Sequence, residues 1–146
     1  MSVEVRETVL AARQSDALRG PRRTSYNAFL DELAARGRAA LDYRVTGPEP
    51  LSWLCVKHLR GRDRAIVAFA SSEVACVVLL GPHNDDDPGQ DVYAMLYRLV
   101  DVEPQPNQQR KKPACCGDDG HEPPVSGAET IDQLVLRARR IARQAT

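Results

Sequence analysis

The chain has 146 residues, 42% of them hydrophobic, which suits a single domain with a modest core. Twenty basic residues balance twenty acidic ones, so nucleic-acid or membrane affinity would have to come from local charge rather than from the chain as a whole. No segment approaches the roughly 20 apolar residues that span a bilayer, and the N-terminal residues lack the apolar run of a secretory signal. We therefore expect a cytoplasmic protein in which structural disulfides are not formed.

Two helices are predicted ahead of the first strand. Residues 3–18 show a loose helical spacing, and residues 19–23 interrupt it with a Gly-Pro step. A second helix follows, for which Ser25 is a suitable N-cap. Its apolar side chains recur at the spacing of one helical face: Tyr26, Phe29, Leu30, Leu33 and Ala34.

Three apolar strands are predicted next, over residues 51–59, 64–70 and 73–80. The connecting loops are only a few residues long, and a parallel pair needs a crossover of about a dozen residues or more, so these strands must be antiparallel. The third strand is apolar on both faces. It is therefore expected to lie inside the sheet, covered by the helix that contains Tyr26.

The rest of the chain predicts a helix, a linker and a further helix. Asp91 can cap a helix that runs to about Val100, whereas residues 101–127 are rich in proline and lack apolar periodicity. Thr130 and Gln133 form a capping-box pattern at the start of an amphipathic, basic helix. The prediction is an α+β domain over 1–100, with two N-terminal helices packed on a small antiparallel sheet. A loose linker over 101–127 and a C-terminal helix over 128–146 follow.

A cluster of basic side chains surrounds the first strand turn. Arginine binds phosphate through a fork of donors and lysine through a point charge. The candidates for binding RNA phosphate are Lys57, His58, Arg60 and Arg62. The alternative is that these are ordinary solvated charges of a hairpin loop. RNA cleavage by its own 2′-hydroxyl also needs proton transfer and stabilisation of the phosphorane, which His, Tyr and Arg can supply.

Three short motifs resemble RelE/ParE-type toxins of bacterial toxin–antitoxin systems. They are RAIV at 64–67, LGPH at 80–83 and DVY at 91–93, and the resemblance extends over about residues 25–97. It implies helices before a curved antiparallel sheet, endoribonuclease activity on ribosome-bound mRNA, and an antitoxin protein as partner. By matching position it assigns catalytic roles to Arg64, His83 and Tyr93. The chain departs from those toxins in its zero net charge and in the Asp85–Asp87 run between His83 and Tyr93.

No cofactor motif is present, and we expect no bound metal. Cys115, Cys116 and His121 are the candidates for a soft metal, but adjacent cysteines and one histidine leave a zinc site short of ligands. His83 with the Asp85–Asp87 run is an alternative for Mg²⁺, although such a run is also an ordinary solvated turn. The rival to the RNA-acting toxin is a non-catalytic regulatory or binding module that responds to metal or redox state through Cys115 and Cys116.

Overall fold

The computed structural model describes residues 2–103 and 123–144. Within that part, the chain forms five strands and four α-helices in an α+β arrangement. In chain order they are β1 (Glu4–Glu7), α1 (Val9–Asp16), α2 (Pro21–Arg36), β2 (Tyr43–Arg44), β3 (Leu54–His58), β4 (Asp63–Ser71), β5 (Val74–Pro82), α3 (Val92–Val100) and α4 (Ala128–Gln144). Short 3₁₀ turns cover Gly37–Ala40 and Leu51–Trp53.

The strands form one mixed sheet in the order β1-β5-β4-β3-β2. The pairs β2–β3, β3–β4 and β4–β5 are antiparallel, as the short loops predict. The strand β1 pairs with β5 in parallel. The sheet is therefore larger than the three or four antiparallel strands expected from the sequence.

The extra strand arises where a helix was expected at the N-terminus. Residues Glu4–Glu7 add to the edge of β5, and the helix starts only after Thr8. The Thr8 hydroxyl accepts a hydrogen bond from the Ala11 N–H at 3.0 Å and donates to the Val78 carbonyl at 2.6 Å. A strand of four residues is too short for its period of two to stand out against a loose helical spacing.

The second helix begins five residues earlier than the sequence indicated, with Gly20 rather than Ser25 at its N-cap position. Pro21 occupies its first turn, where a missing N–H costs nothing. Ser25 is therefore inside the helix rather than its cap. Its hydroxyl oxygen instead accepts a hydrogen bond from the backbone N–H of Arg60 at 3.1 Å, which joins α2 to the β3–β4 loop.

The two faces of the sheet carry separate apolar clusters. On one face, Tyr26 and Leu33 of α2 pack against Val67 of β4. On the other, Leu96 of α3 and Leu134 of α4 pack with Ile66. The predicted apolar stripe of the last helix is thus buried in the core. None of the helices in the described residues is long and apolar enough to cross a membrane.

The cysteines differ from the expectation of free thiols throughout. Cys76 is a buried free thiol, whereas Cys55, which is completely buried in β3, is disulfide-bonded. Residues 104–122, and with them Cys115, Cys116 and His121, lie outside the described residues. The end of the predicted linker is joined to the sheet, because the Ser126 N–H donates to the Phe69 carbonyl at 2.9 Å.

Candidate active site

Two histidines and two tyrosines form a continuous series of contacts at one end of the sheet. His58 Nε2 lies 3.1 Å from the Tyr43 hydroxyl, and that hydroxyl lies 2.8 Å from the Tyr93 hydroxyl. The ring of Tyr93 meets the His83 ring edge to face, with centroids 4.8 Å apart. We call these four residues the His58–His83 chain. It places two titratable imidazoles at the ends of a pair of hydrogen-bonded phenols.

The strand register places Tyr43 and Arg64 on the same face of the sheet as His58. His58 pairs with Arg64 of β4, and Arg64 pairs in turn with Gly81 of β5. Residues directly opposite one another in neighbouring strands have their side chains on the same face. Tyr43 pairs with Val56, two residues before His58, so it shares that face as well. This is the face that α3 covers, and α3 carries Tyr93 in its first turn.

The loop before α3 holds His83 in place. Its backbone N–H donates to the Arg62 carbonyl at 2.8 Å, and its Nε2 lies 2.9 Å from the carboxylate of Asp85. Asp91, predicted as the N-cap of α3, accepts from the Ala94 N–H at 3.0 Å and from the Asn84 N–H at 2.9 Å. One carboxylate therefore starts the helix and anchors the residue next to His83. A histidine held in this way is suited to proton transfer in one orientation.

Arg64 has one donor that the described residues leave without a partner. Its Nη1 donates to the backbone carbonyls of Gly61, at 3.3 Å, and Asp63, at 3.0 Å. Its Nε is buried and makes no hydrogen bond within the described part of the chain. Buried donors are normally paired, because an unpaired one loses its hydration without compensation.

The other predicted phosphate-binding residues lie in two places, the β3–β4 loop and the α2 side of the sheet. Arg60 and Arg62 are exposed in the β3–β4 loop, beside the His58–His83 chain. Lys57 faces the opposite side of the sheet, because it pairs with Ala65 of the α2-side cluster, and its Nζ lies 3.9 Å from an Asp42 carboxylate oxygen. The structure thus brings His58, His83 and Tyr93 into one chain with Arg64 beside them, and separates Lys57 from it.

Sequence reasoning missed Tyr43. It lies in a strand of two residues, which is too short to show the period of a strand. Tyr43 belongs to the His58–His83 chain because β2 pairs with β3 and α3 crosses the sheet. Neither contact can be predicted from the spacing of nearby residues. A tyrosine next to a possible edge strand was the one available signal, and tyrosine is common in strands for packing alone.

Metal ligands do not come together in the residues that the structure describes. No group of three or more His, Cys, Asp or Glu side chains has suitable spacing in 2–103 or 123–144. His83 and Asp85 form a pair. The side chains at this site include two imidazoles, which as a class can take up or release a proton, and a guanidinium, which can bind a phosphate.

Comparison with solved structures finds a partial likeness. No protein-family model matches the chain, and no curated protein matches it. A chain from the crystal structure of the RelBE2 toxin–antitoxin complex of Mycobacterium tuberculosis aligns with 55% of this chain and 96% of its own length, with 16% identity and a TM-score of 0.39. An identity and a TM-score this low do not indicate a function, so the function is inferred from the geometry of the site.

Proposed function

We propose that this protein is a small endoribonuclease of the RelE/ParE-like toxin kind, and that the His58–His83 chain with Arg64 is its active site. The observation that supports this is the series of contacts that joins the two imidazoles: His58 to the Tyr43 hydroxyl, that hydroxyl to the Tyr93 hydroxyl, and the Tyr93 ring to His83. Paired acid and base groups are what cleavage of RNA by its 2′-hydroxyl requires. The motifs around Arg64, His83 and Tyr93 add the resemblance to those toxins.

The proposed reaction moves one proton at each end. His83, oriented by Asp85, removes the proton of the 2′-hydroxyl, and the 2′-oxygen attacks the adjacent phosphorus. Arg64, half-buried and opposite His58 in the neighbouring strand, supplies a guanidinium for the negative charge that develops on the phosphorane. The bond from phosphorus to the 5′-oxygen then breaks as His58 donates a proton to that oxygen. The products are a 2′,3′-cyclic phosphate and a 5′-hydroxyl, and no cofactor is consumed.

The two tyrosines act on the histidines rather than on the phosphate. Tyr93 is buried and lies against the His83 ring, and Tyr43 holds the exposed His58 through its hydroxyl. Their part in the proposal is to keep both imidazoles on one side of the sheet. Arg60 and Arg62, exposed in the neighbouring loop, are placed to meet flanking phosphates. An antitoxin that covers this end of the sheet is the protein partner that the resemblance suggests.

The test is cleavage of single-stranded RNA by the purified full-length protein, with the ends of the products identified. We expect cyclic-phosphate ends, and a loss of rate of about 10² to 10³ in His83→Gln and in His58→Gln. Arg36→Gln is the matched control, because Arg36 is exposed on α2 and pairs only with Glu32 in the described residues. It should cleave like the wild type.

Two results would contradict the proposal. One is cleavage that survives in both histidine variants, which would point to a contaminating nuclease. The other is a wild type that cleaves neither free nor ribosome-bound RNA. The second result would leave the non-catalytic binding module, responsive to metal or redox state through Cys115 and Cys116, as the better reading.

A further inference from the structure

A second concave site lies at the other end of the strand and helix that carry the candidate active site. It is an open cavity of about 250 Å³ between the turn before β3 and the helices α3 and α4. Trp53, Val100 and Leu134 supply its apolar walls, and Glu49, Gln133 and Arg137 supply polar groups. Trp53 is half-buried and is the only tryptophan of the chain. We call this the Trp53 cavity.

The same two elements connect the Trp53 cavity with the His58–His83 chain. Trp53 immediately precedes β3 and His58 ends that strand, so five residues, or about 17 Å of strand, separate them. Tyr93 and Val100 lie seven residues apart on α3, which is about 10 Å of helix. Leu54 of β3 packs with α3 and α4 in the same apolar cluster as Tyr93. These separations are no longer than a few nucleotides of extended single-stranded RNA.

We propose that the Trp53 cavity binds an unpaired nucleobase of the RNA strand whose phosphate lies at the candidate active site. The proposal rests on the proposed function. An indole face stacks on any base, and stacking on aromatic side chains is the usual means of holding single-stranded RNA. A cavity slightly smaller than the roughly 300 to 1,000 Å³ of drug-sized sites suits one base.

The polar groups of the cavity suit a base better than a phosphate. The Glu49 carboxylate would repel a phosphate but can accept a hydrogen bond from an exocyclic amino group. Gln133 can donate and accept at a base edge. Arg137 is tethered, because its Nη1 donates to the Leu99 carbonyl at 3.4 Å. The mixed charges give recognition of a base edge without general attraction for the RNA backbone, which agrees with the zero net charge of the chain.

The experiment uses the single tryptophan as a direct probe. Full-length protein carrying His83→Gln, which keeps the RNA intact, is titrated with a short single-stranded RNA while the tryptophan emission is followed. We expect saturable quenching, because a stacked base quenches the indole. Binding is measured independently by anisotropy of a labelled RNA. Trp53→Leu should weaken it by about ten-fold or more, and Trp53→Phe, which keeps an aromatic face, by less.

Controls separate a lost contact from a lost fold. Leu136→Ala changes an apolar residue of α4 that is 51% exposed and does not line the cavity, and it should bind RNA like the parent. Thermal unfolding of Trp53→Leu and Trp53→Phe shows whether each is folded. RNAs that each lack a single base are then compared. One missing base should weaken binding to protein that keeps Trp53 but have no further effect on binding to Trp53→Leu.

The outcomes distinguish this inference from the proposed function. If RNA quenches the tryptophan and a missing base weakens binding, but the wild-type protein never cleaves RNA, the base-binding site is supported and the proposed nuclease function is rejected. Cleavage with unchanged affinity in Trp53→Leu would remove the base site alone. Tryptophan emission that ignores RNA at saturation, yet shifts when a protein partner binds, would overturn the inference and show that an apolar side chain of that partner fills the cavity.

Discussion

Asp63 and Arg64 are neighbours at the start of β4, and their side chains lie on opposite faces of the sheet. They differ in how far the fold satisfies their polar groups. Asp63 is only 3% exposed and accepts two hydrogen bonds from the Arg22 guanidinium of α2, at 2.7 and 2.8 Å. Arg64 faces the α3 side, beside the His58–His83 chain, and keeps a buried Nε–H without a partner in the described residues. The Asp63 charge is matched by Arg22 within the fold, whereas Arg64 keeps one donor that the described residues do not satisfy.

The contrast follows from the geometry of a β-strand, in which side chains alternate between the two faces of the sheet. Adjacent residues of a strand point to opposite faces, so a charge that anchors a helix and a charge that serves a site can follow each other directly. The matched pair raises the pKa of Arg22, mainly through its hydrogen bonds with Asp63. If the contrast is correct, substitutions at Asp63 should act on stability and substitutions at Arg64 on activity.

The largest effect is expected from Arg64→Gln on RNA cleavage. Removing a guanidinium that faces the phosphorane should lower the rate by about 10² to 10³, with the affinity for uncleaved RNA changed much less. The measurement is single-turnover cleavage together with RNA binding. Its stability should stay close to that of the wild type. A variant that unfolds, or one that cleaves normally, would show that Arg64 is as structural as Asp63.

Asp63→Ala should mainly destabilise the fold. It removes two charged hydrogen bonds from a buried carboxylate, but Arg22 is half exposed and can be solvated, so a loss of about 1 to 3 kcal/mol is expected. Urea unfolding measures it, and Arg22→Gln with the double variant gives the coupling between the two. Cleavage per folded molecule should be retained. Loss of cleavage at full stability would break the comparison.

Alkaline pH should weaken the α2 side of the sheet before it affects the fold elsewhere. Burial raises the pKa of Cys76 from 9.0 to about 11, and burial together with the hydrogen bond to Glu7 raises the pKa of Tyr26 above its ordinary value. Both groups are neutral in the folded state. Their contribution to stability is therefore complete below about pH 9 and is lost as pH rises toward 11 and beyond.

At about pH 10 the Cys76 shift alone corresponds to roughly 1 kcal/mol of lost stability. Urea unfolding at neutral pH and at that pH measures the loss, and Cys76→Ala should reduce the difference between the two. Stability that is constant, or that rises, over this range would contradict the burial of these two groups.

The smallest effect is expected from Tyr43→Phe. It removes one hydroxyl shared by His58 and Tyr93 and leaves the ring packed, so stability should change by about 1 kcal/mol or less. Cleavage should fall only several-fold, because both imidazoles remain. The measurement is single-turnover cleavage by the variant and the wild type, and an unchanged rate would show that Tyr43 is a packing residue.

Local signals predicted the elements whose own residues carry a strong pattern. The apolar faces of α2 and α4 repeat at the helical period, β3, β4 and β5 are apolar runs joined by short loops, and Asp91 is a typical N-cap residue. The same logic, applied more strictly, would have separated Lys57 from His58, since adjacent strand residues cannot share a face. Strand β1 was missed because four residues carry too little periodicity to outweigh a neighbouring helical spacing.

The sequence by itself determined the α+β class, the order of the main strands and helices, and the pairing direction of the hairpins, because these follow from spacing within short windows and from loop length. Only the tertiary structure decided that β1 joins the sheet in parallel, that Tyr43 connects His58 to Tyr93, and that Trp53 lines a cavity with α3 and α4. Each of these depends on residues brought together across 40 or more positions, such as Tyr43 with Tyr93. Such contacts are set by the packing of whole elements, and no local pattern of side chains encodes them.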